Sequence, residues 1–182
     1  DRHLLPLNAN AGVCVNGLNV GGNGFVVEAA EAESLLQTSP SLAQVLKPYL
    51  GGEDITTSPT QAASRFVIDF GRMSLDEASA WPIALEIVSQ RVRPDRERIS
   101  MESPEARLRE YWWHHRRKAA YPANCGRRIV TAVYSTHLVF CFQSDGVVFN
   151  NKTSVFDLGS CTCFAILQSR VHTSWATRLS PT

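Results

Sequence analysis

The residues with the greatest capacity for chemistry lie between positions 91 and 128, which hold most of the basic side chains of this 182-residue chain. This segment contains 11 Lys or Arg against 5 Asp or Glu, whereas residues 1–90 contain 4 against 10 and residues 129–182 contain 3 against 2. Arginine outnumbers lysine ten to one in the segment. A guanidinium can bind phosphate oxygens bidentately and read guanine edges in the major groove. Because solubility alone requires only interspersed charges, this concentration indicates a face that binds a polyanion.

Two interpretations of the basic segment follow from the residues. In the first, its side chains anchor phosphates and contact some base edges. In the second, the arginines pair with the five acidic residues of the same segment on a solvated face, and Trp112 and Trp113 pack in the core. The candidate contacts of the first interpretation are Arg93, Arg96, Arg98, Arg107, Arg109, Arg116, Arg117, Lys118, Arg127 and Arg128.

Three histidines could supply a general base, and His114, His115 and His172 are therefore the candidates for a small metal-dependent nuclease. Such a base needs a positioned partner and acidic metal ligands, and no Asp/Glu cluster stands near these histidines in the sequence. We expect them to be solvated or to contact phosphate. The sequence also lacks a Gly-x-x-x-x-Gly-Lys phosphate loop, a Gly-x-Ser-x-Gly elbow and a His-Glu-x-x-His motif, so no catalytic group is expected.

The cysteines favour reduced thiols in a cytoplasmic protein. They are five in number, which is odd, and no Cys-x-x-Cys pair occurs, so neither a disulfide framework nor a metal site is expected. No apolar run approaches the roughly 18 residues of a membrane span. The start at Asp1 does not resemble a signal peptide, and the lack of an initiator Met predicts a piece of a longer protein.

The sequence patterns that indicate helices and strands predict an α+β fold, with a helix-containing N-terminal half and a mostly antiparallel β-sheet in the C-terminal half. These elements must position the residues named above. Ser74-Leu-Asp-Glu77 is a capping box that opens a helix in which Pro82 predicts a kink or break and which Pro94 ends. Residues 49–54 are predicted to form a turn. The other predicted helices are 28–37, 41–46, 103–113 and 169–178, and the predicted strands lie within 11–27 and at 65–70, 127–134, 137–143, 146–150, 154–158 and 162–167.

Seven short motifs occur in a fixed order along residues 8–176. They are Val15-Asn-Gly17 with Gly24-Phe-Val-Val27, Glu31-Ala32 with Leu35-Leu36, Pro48-Tyr-Leu-Gly-Gly-Glu-Asp54, Phe66-Val-Ile-Asp-Phe70, Val92-Arg-Pro94 with Arg96, Tyr111-Trp-Trp113 with Arg116 and Arg117, and Ile166-Leu-Gln-Ser169 with His172 and Trp175-Ala176. In this order they resemble the target-recognition region of MmeI-like type II restriction-modification enzymes and related adenine-specific DNA methyltransferases.

The resemblance implies a single target-recognition domain over residues 8–176, with sub-lobes at 1–122 and 123–182 as a finer division. It implies a parent protein that transfers a methyl group from S-adenosylmethionine to adenine N6, in some members with a nuclease on the same chain. The Asn-Pro-Pro-Tyr catalytic motif and the Gly-rich cofactor motif of such parents are absent from this sequence. This chain is therefore expected to hold no cofactor and to perform no transfer, with S-adenosylmethionine in the parent's catalytic domain.

The implied partners are double-stranded DNA and the methyltransferase catalytic domain of the same parent chain. Trp113, Arg170 and His172 join the candidate DNA contacts on the resemblance alone, with Arg178 beside them. The family's recognition region continues past the Ser-His-Trp motif, so some base-reading contacts are expected beyond Thr182. Two alternatives remain open, namely a generic nucleic-acid-binding module and the metal-dependent nuclease.

Overall fold

The computed structural model describes residues 11–117 and 126–179. These residues form two four-stranded sheets with helices around them, which confirms the predicted α+β class. The strands are β1 (Cys14–Asn16), β2 (Val26–Glu28), β3 (Leu46–Leu50), β4 (Arg65–Ile68), β5 (Arg127–Ala132), β6 (Phe140–Ser144), β7 (Val148–Phe149) and β8 (Thr153–Phe156). The helices are α1 (Ala29–Thr38), α2 (Gly52–Thr57), α3 (Leu75–Ala78), α4 (Pro82–Arg91), α5 (Arg93–Glu97), α6 (Arg107–Glu110), α7 (Cys161–Leu167) and α8 (Arg170–Leu179).

The first sheet has the order β1-β8-β5-β6 and is antiparallel throughout. It is the antiparallel sheet predicted for the C-terminal half, joined by β1 from the N-terminal half. Val130 lies opposite Cys141 on one neighbour and Val155 on the other. Since side chains alternate between the two faces of a strand, these three residues share one face, and the phenylalanines of β6 and β8 lie on the other.

The second sheet has the order β2-β4-β3-β7, and its β3–β7 pair is parallel. The turn predicted at 49–54 is wrong, because Tyr49 and Leu50 complete β3 and α2 begins at Gly52. Pro48 is tolerated in this strand because β7 pairs only with Tyr49 and Leu50, which leaves Pro48 a neighbour on one side. The Asp54 carboxylate accepts the Gly51 N–H at 2.7 Å and so helps α2 begin.

Each of the two cores draws on both halves of the chain. The core of the second sheet includes Val27, Val67 and Val88 together with Val148 from the C-terminal half. The core between the sheets is built by Leu50 and Ile55 from the N-terminal half with Val130, Cys141, Phe149 and Val155 from the C-terminal half.

The helical segment from Ser74 to Glu97 follows the local signals. The Ser74 hydroxyl accepts the Glu77 N–H at 3.2 Å, and the Glu77 carboxylate accepts the Ser74 N–H at 2.7 Å, which confirms the capping box. The helix breaks before Pro82, as predicted. As predicted, α4 ends before Pro94, at Arg91. Pro94 itself lies in the first turn of a new helix, α5, where a backbone N–H would have no partner within the helix. The helix predicted over 103–113 is reduced to α6.

The strand predicted at 162–167 is wrong, because these residues form α7. The Ser160 hydroxyl accepts the Cys163 N–H at 3.1 Å and caps the helix. Phe164 of α7 stacks on Phe142 of β6 with ring centroids 4.7 Å apart. The side chain of Gln168, which follows α7, accepts the Phe140 N–H at 3.0 Å. The final helix, α8, was correctly predicted from the sequence and packs His172 against Phe140 at 5.8 Å.

Candidate nucleic-acid interface

Three of the predicted phosphate contacts are paired with acidic residues of their own segment. Arg93 donates to Glu97 at 2.8 Å and Arg98 donates to Asp95 at 3.0 Å. Arg116 is ion-paired with Glu105. These pairs match the second interpretation of the basic segment, and each arginine must leave a carboxylate before it can bind a phosphate.

Acidic residues from the N-terminal half also reach the basic segment. Glu31 of α1 accepts from Arg91 of α4 at 2.5 Å, although 60 positions separate them. Asp69 lies 3.5 Å from the Nδ1 of His115. The negative and positive stretches of the sequence are therefore partly interleaved in space.

Three predicted contacts are buried. Arg96 is 4% exposed and donates to the Val20 carbonyl at 3.2 Å, and burial lowers the pKa of its guanidinium, which nearby Glu105 partly opposes. Arg128 is 2% exposed and donates to Asp145 at 2.9 Å. Trp113 is 6% exposed and donates its indole N–H to the Met73 carbonyl at 2.9 Å. In this conformation these side chains organise the core and do not present a surface to DNA.

Three further arginines are exposed but bind backbone carbonyl groups. Arg107 donates to the carbonyl of Arg116 at 2.9 Å, and Arg109 donates to that of Ile99 at 3.3 Å. Arg127 donates to the Gly159 carbonyl at 2.7 Å while its guanidinium lies 4.2 Å from the centre of the Phe142 ring. Arg127 therefore ties β5 to the start of α7, whereas Arg107 orders the chain that carries Arg116.

Two predicted arginines, Arg117 and Arg170, have exposed side chains with no acidic partner among the described residues. The Arg117 backbone N–H donates to the Asn19 carbonyl at 3.0 Å. This bond fixes the position of the backbone from which the Arg117 side chain extends into solvent. Lys118, also predicted, lies outside the described residues.

A small cavity of about 210 Å³ brings part of the basic segment together beside a glycine-rich loop. Arg91, Arg96 and Arg116 line it with Asp95 and Glu105, so its charges nearly balance. Gly21 has a φ of +74°, and a Cβ there would lie 2.6 Å from the Cβ of Arg116. The glycine is thus required for the close approach of Arg116.

A larger groove of about 510 Å³ runs beside α8 and is called the α8 groove below. Arg170, Thr173, Ser174 and Thr177, spaced at i, i+3, i+4 and i+7, supply one wall from a single helix face. His137 and Gln168 line it from neighbouring segments. Sequence reasoning missed the hydroxyl residues and His137, although one signal was present: no Asp or Glu follows Asp157.

The other two faces of α8 have different roles. His172 is half-buried against Phe140, and its Nδ1 lies 2.8 Å from the Leu167 carbonyl, to which it donates. Val171 and Trp175 are 81% and 59% exposed on the outer face. Of the two α8 residues predicted to contact DNA, Arg170 therefore reaches the groove, and His172 supports the helix that forms it.

The histidine candidates for a nuclease are engaged in structural contacts. His114 donates to the Met73 carbonyl at 2.8 Å, and buried His115 donates to the Ile68 carbonyl at 2.8 Å. Within residues 11–117 and 126–179, no group of three or more His, Cys, Asp or Glu side chains could hold a metal ion. None of the helices in these ranges has the length and apolar composition needed to cross a bilayer.

The described part of the chain thus presents exposed arginines and a hydrogen-bonding groove on an α+β frame, features that suit a domain that binds a polyanion. The chain belongs to the MmeI target recognition domain family, whose sequence model matches residues 9–180. The family resemblance predicted from the ordered motifs is thereby confirmed.

A solved structure has a similar fold. It is described as the structure of the Type IIL restriction-modification enzyme MmeI in complex with DNA, and its TM-score to this chain is 0.70 at 16% sequence identity. The match covers 89% of this chain and 21% of that one, so this chain spans about a fifth of the length of that MmeI chain. No curated protein matches the sequence significantly.

Proposed function

We propose that this domain recognises a specific sequence in double-stranded DNA on behalf of a restriction-modification enzyme. The observation that carries the proposal is the family match over residues 9–180. The likeness to an MmeI structure in complex with DNA supports it. Exposed Arg117 and Arg170 offer the cationic donors that such binding uses.

The parent enzyme, in this proposal, is an S-adenosylmethionine-dependent adenine-N6 methyltransferase that acts in the cytoplasm. Its catalytic domain lies on the same chain and extrudes the target adenine, while this domain holds the flanking sequence. The proposal assigns S-adenosylmethionine to that catalytic domain, because the Gly-rich cofactor motif of such parents does not occur in this sequence.

The experiment selects bound sequences from a randomised duplex library with the purified chain. Enrichment of one sequence is the expected result, because base-edge contacts discriminate by about 1–3 kcal/mol each. Matched single-stranded RNA and a scrambled duplex serve as competitors. A preference for RNA, or retention of all duplexes alike, would favour the generic nucleic-acid-binding module instead.

The methyltransferase part of the proposal is tested in the full-length protein that carries this domain. Genomic DNA from cells that express it should contain N6-methyladenine within the same sequence that the isolated domain selects. Methylation at a different sequence, or on cytosine, would contradict the adenine-specific assignment without affecting DNA recognition by this domain.

The nuclease alternative has its own readout. Plasmid cleavage by the purified chain with magnesium or manganese, lost on His172→Ala, would support it. We expect no cleavage, because His172 donates a hydrogen bond to the Leu167 carbonyl and packs on Phe140, so it is not positioned as a general base.

A further inference from the structure

The α8 groove differs from the basic segment because, among the described residues, no carboxylate lies beside its arginine. Arg93, Arg98 and Arg116 each contact a carboxylate. The residues that line the α8 groove include no Asp or Glu, and none occurs in the sequence after Asp157. A phosphate that enters this groove meets a positive charge without displacing an ion pair.

The wall of the groove also carries neutral hydrogen-bonding groups at helical spacing. Ser174 is exposed, and its hydroxyl has no hydrogen-bond partner among the described residues. The Gln168 side-chain oxygen accepts the Phe140 N–H at 3.0 Å, which anchors the amide and leaves its Nε2 group to donate. Hydroxyl and amide donors of this kind are frequent contacts to DNA phosphate and sugar oxygens.

The groove is held by elements that keep its shape. The loop that carries His137 is closed by two bonds, in which the Ser135 hydroxyl donates to the His137 carbonyl at 2.6 Å and accepts the His137 N–H at 3.1 Å. On the opposite wall, the Thr173 hydroxyl donates to the Ser169 carbonyl at 3.1 Å and the Thr177 hydroxyl donates to the Thr173 carbonyl at 2.9 Å. A preformed wall limits the entropy lost on binding.

We propose that the α8 groove takes the sugar-phosphate backbone of bound duplex DNA, with Arg170 as its charged phosphate contact and Ser174 and Gln168 as neutral donors. This inference rests on the proposed function and names the surface that performs part of it. It assigns backbone anchoring to α8, whereas the charge count had assigned it to the basic segment.

The test measures the affinity of the purified chain for a random-sequence duplex as a function of salt. Arg170→Gln should lower the affinity by about threefold to tenfold and flatten the slope of log K against log salt by about one unit, because one phosphate contact releases about one counterion. Ser174→Ala should weaken binding by about twofold to fivefold with the slope unchanged, because a neutral donor releases no counterion.

The matched control is Arg72→Gln, which removes the same charge at an exposed position that does not line the groove and is not a predicted DNA contact. It should leave the slope close to that of the wild type. An unchanged slope for Arg170→Gln, or an equal loss for both arginine variants, overturns the groove assignment while duplex binding itself stands. If the wild-type chain binds no duplex, the proposed function and this inference fall together. All the substituted side chains are exposed, and equal melting temperatures will confirm equal folding.

Discussion

At the scale of single residues, burial decides whether a charged side chain supports the fold or faces solvent. Arg128 and Arg96 are both nearly inaccessible, and each is held by a specific acceptor, Asp145 in one case and the Val20 carbonyl in the other. A buried charge without such a partner would cost several kcal/mol, on the order of 3–5. Their identity as arginines therefore follows from the fold, and a ligand is not required to explain it.

His115 is the residue whose burial makes stability depend on pH. It is 8% exposed, and burial lowers the pKa of its imidazole, an effect that Asp69 and the Ile68 carbonyl partly oppose and that Arg96 and His114 add to. The folded state then binds a proton less readily than the unfolded chain, whose histidine titrates near about 6.5. The stabilisation by neutral His115 is therefore full above that pH and is lost as the pH falls below it.

We expect the free energy of unfolding to decline by up to about 1.4 kcal/mol per pH unit below about pH 6.5 because of this one group. His115→Gln keeps a donor for the Ile68 carbonyl and should abolish that part of the decline. Urea unfolding on both sides of that pH measures it. His137→Gln, which replaces an exposed histidine, is the control and should keep the wild-type pH dependence. Equal pH dependence in the wild type and His115→Gln would contradict the prediction.

At the scale of elements, the capping box at Ser74 gives a local prediction. Ser74→Ala removes the acceptor of the Glu77 N–H and the hydroxyl that donates to the Glu77 carboxylate at 3.0 Å. Loss of such a cap costs about 1 kcal/mol, within a range of about 0.5–2. Thermal and urea unfolding measure the change. Ser34→Ala, an exposed substitution inside α1, should leave stability unchanged or slightly higher. Equal stabilities for the two variants would show that the cap contributes nothing.

Elements with local signals were predictable from the sequence, and elements that depend on distant partners were not. The Ser74 box, the break before Pro82 and α8 follow from neighbouring residues. In contrast, β3 contains Pro48 and exists because β4 and β7 pair with it. The apolar run of α7 has the composition of a strand, and its helical state depends on the Ser160 cap and on Phe142.

The candidate site shows the same limit. Arginine content correctly marked a basic segment, but charge counting could not show that Arg91 meets Glu31 or that Arg96 and Arg128 are buried, because these contacts join distant positions. Only part of the α8 groove could be predicted from the sequence. Arg170 was identified through the resemblance, whereas Ser174 and Thr177 needed helical geometry to be placed beside it.

At the scale of the whole molecule, the two halves of the chain are interleaved. The N-terminal strand β1 pairs with β8, and β7 from the C-terminal half extends the sheet of β2, β4 and β3. The core between the sheets needs Leu50 and Ile55 from one half and Val130 and Phe149 from the other. A domain with this topology should unfold as one cooperative unit, because neither half can bury its apolar faces alone.

The prediction is that the fragments 1–122 and 123–182 show no cooperative thermal transition when each is prepared separately, and that mixing them restores one. Each fully buried Leu, Ile or Phe contributes about 1.5–3 kcal/mol, so losing the opposite half removes an amount comparable with the net stability of a domain, about 5–15 kcal/mol. Circular dichroism during heating measures the transitions. The control for the cut itself is the intact chain with a protease site inserted between residues 122 and 123. Its thermal transition is measured before and after cleavage. After cleavage, the two halves should elute together in size-exclusion chromatography. A cooperative transition of the fragment 123–182 alone would show instead that the C-terminal sheet folds without β1, Leu50 and Ile55, and that 1–122 and 123–182 are independent lobes.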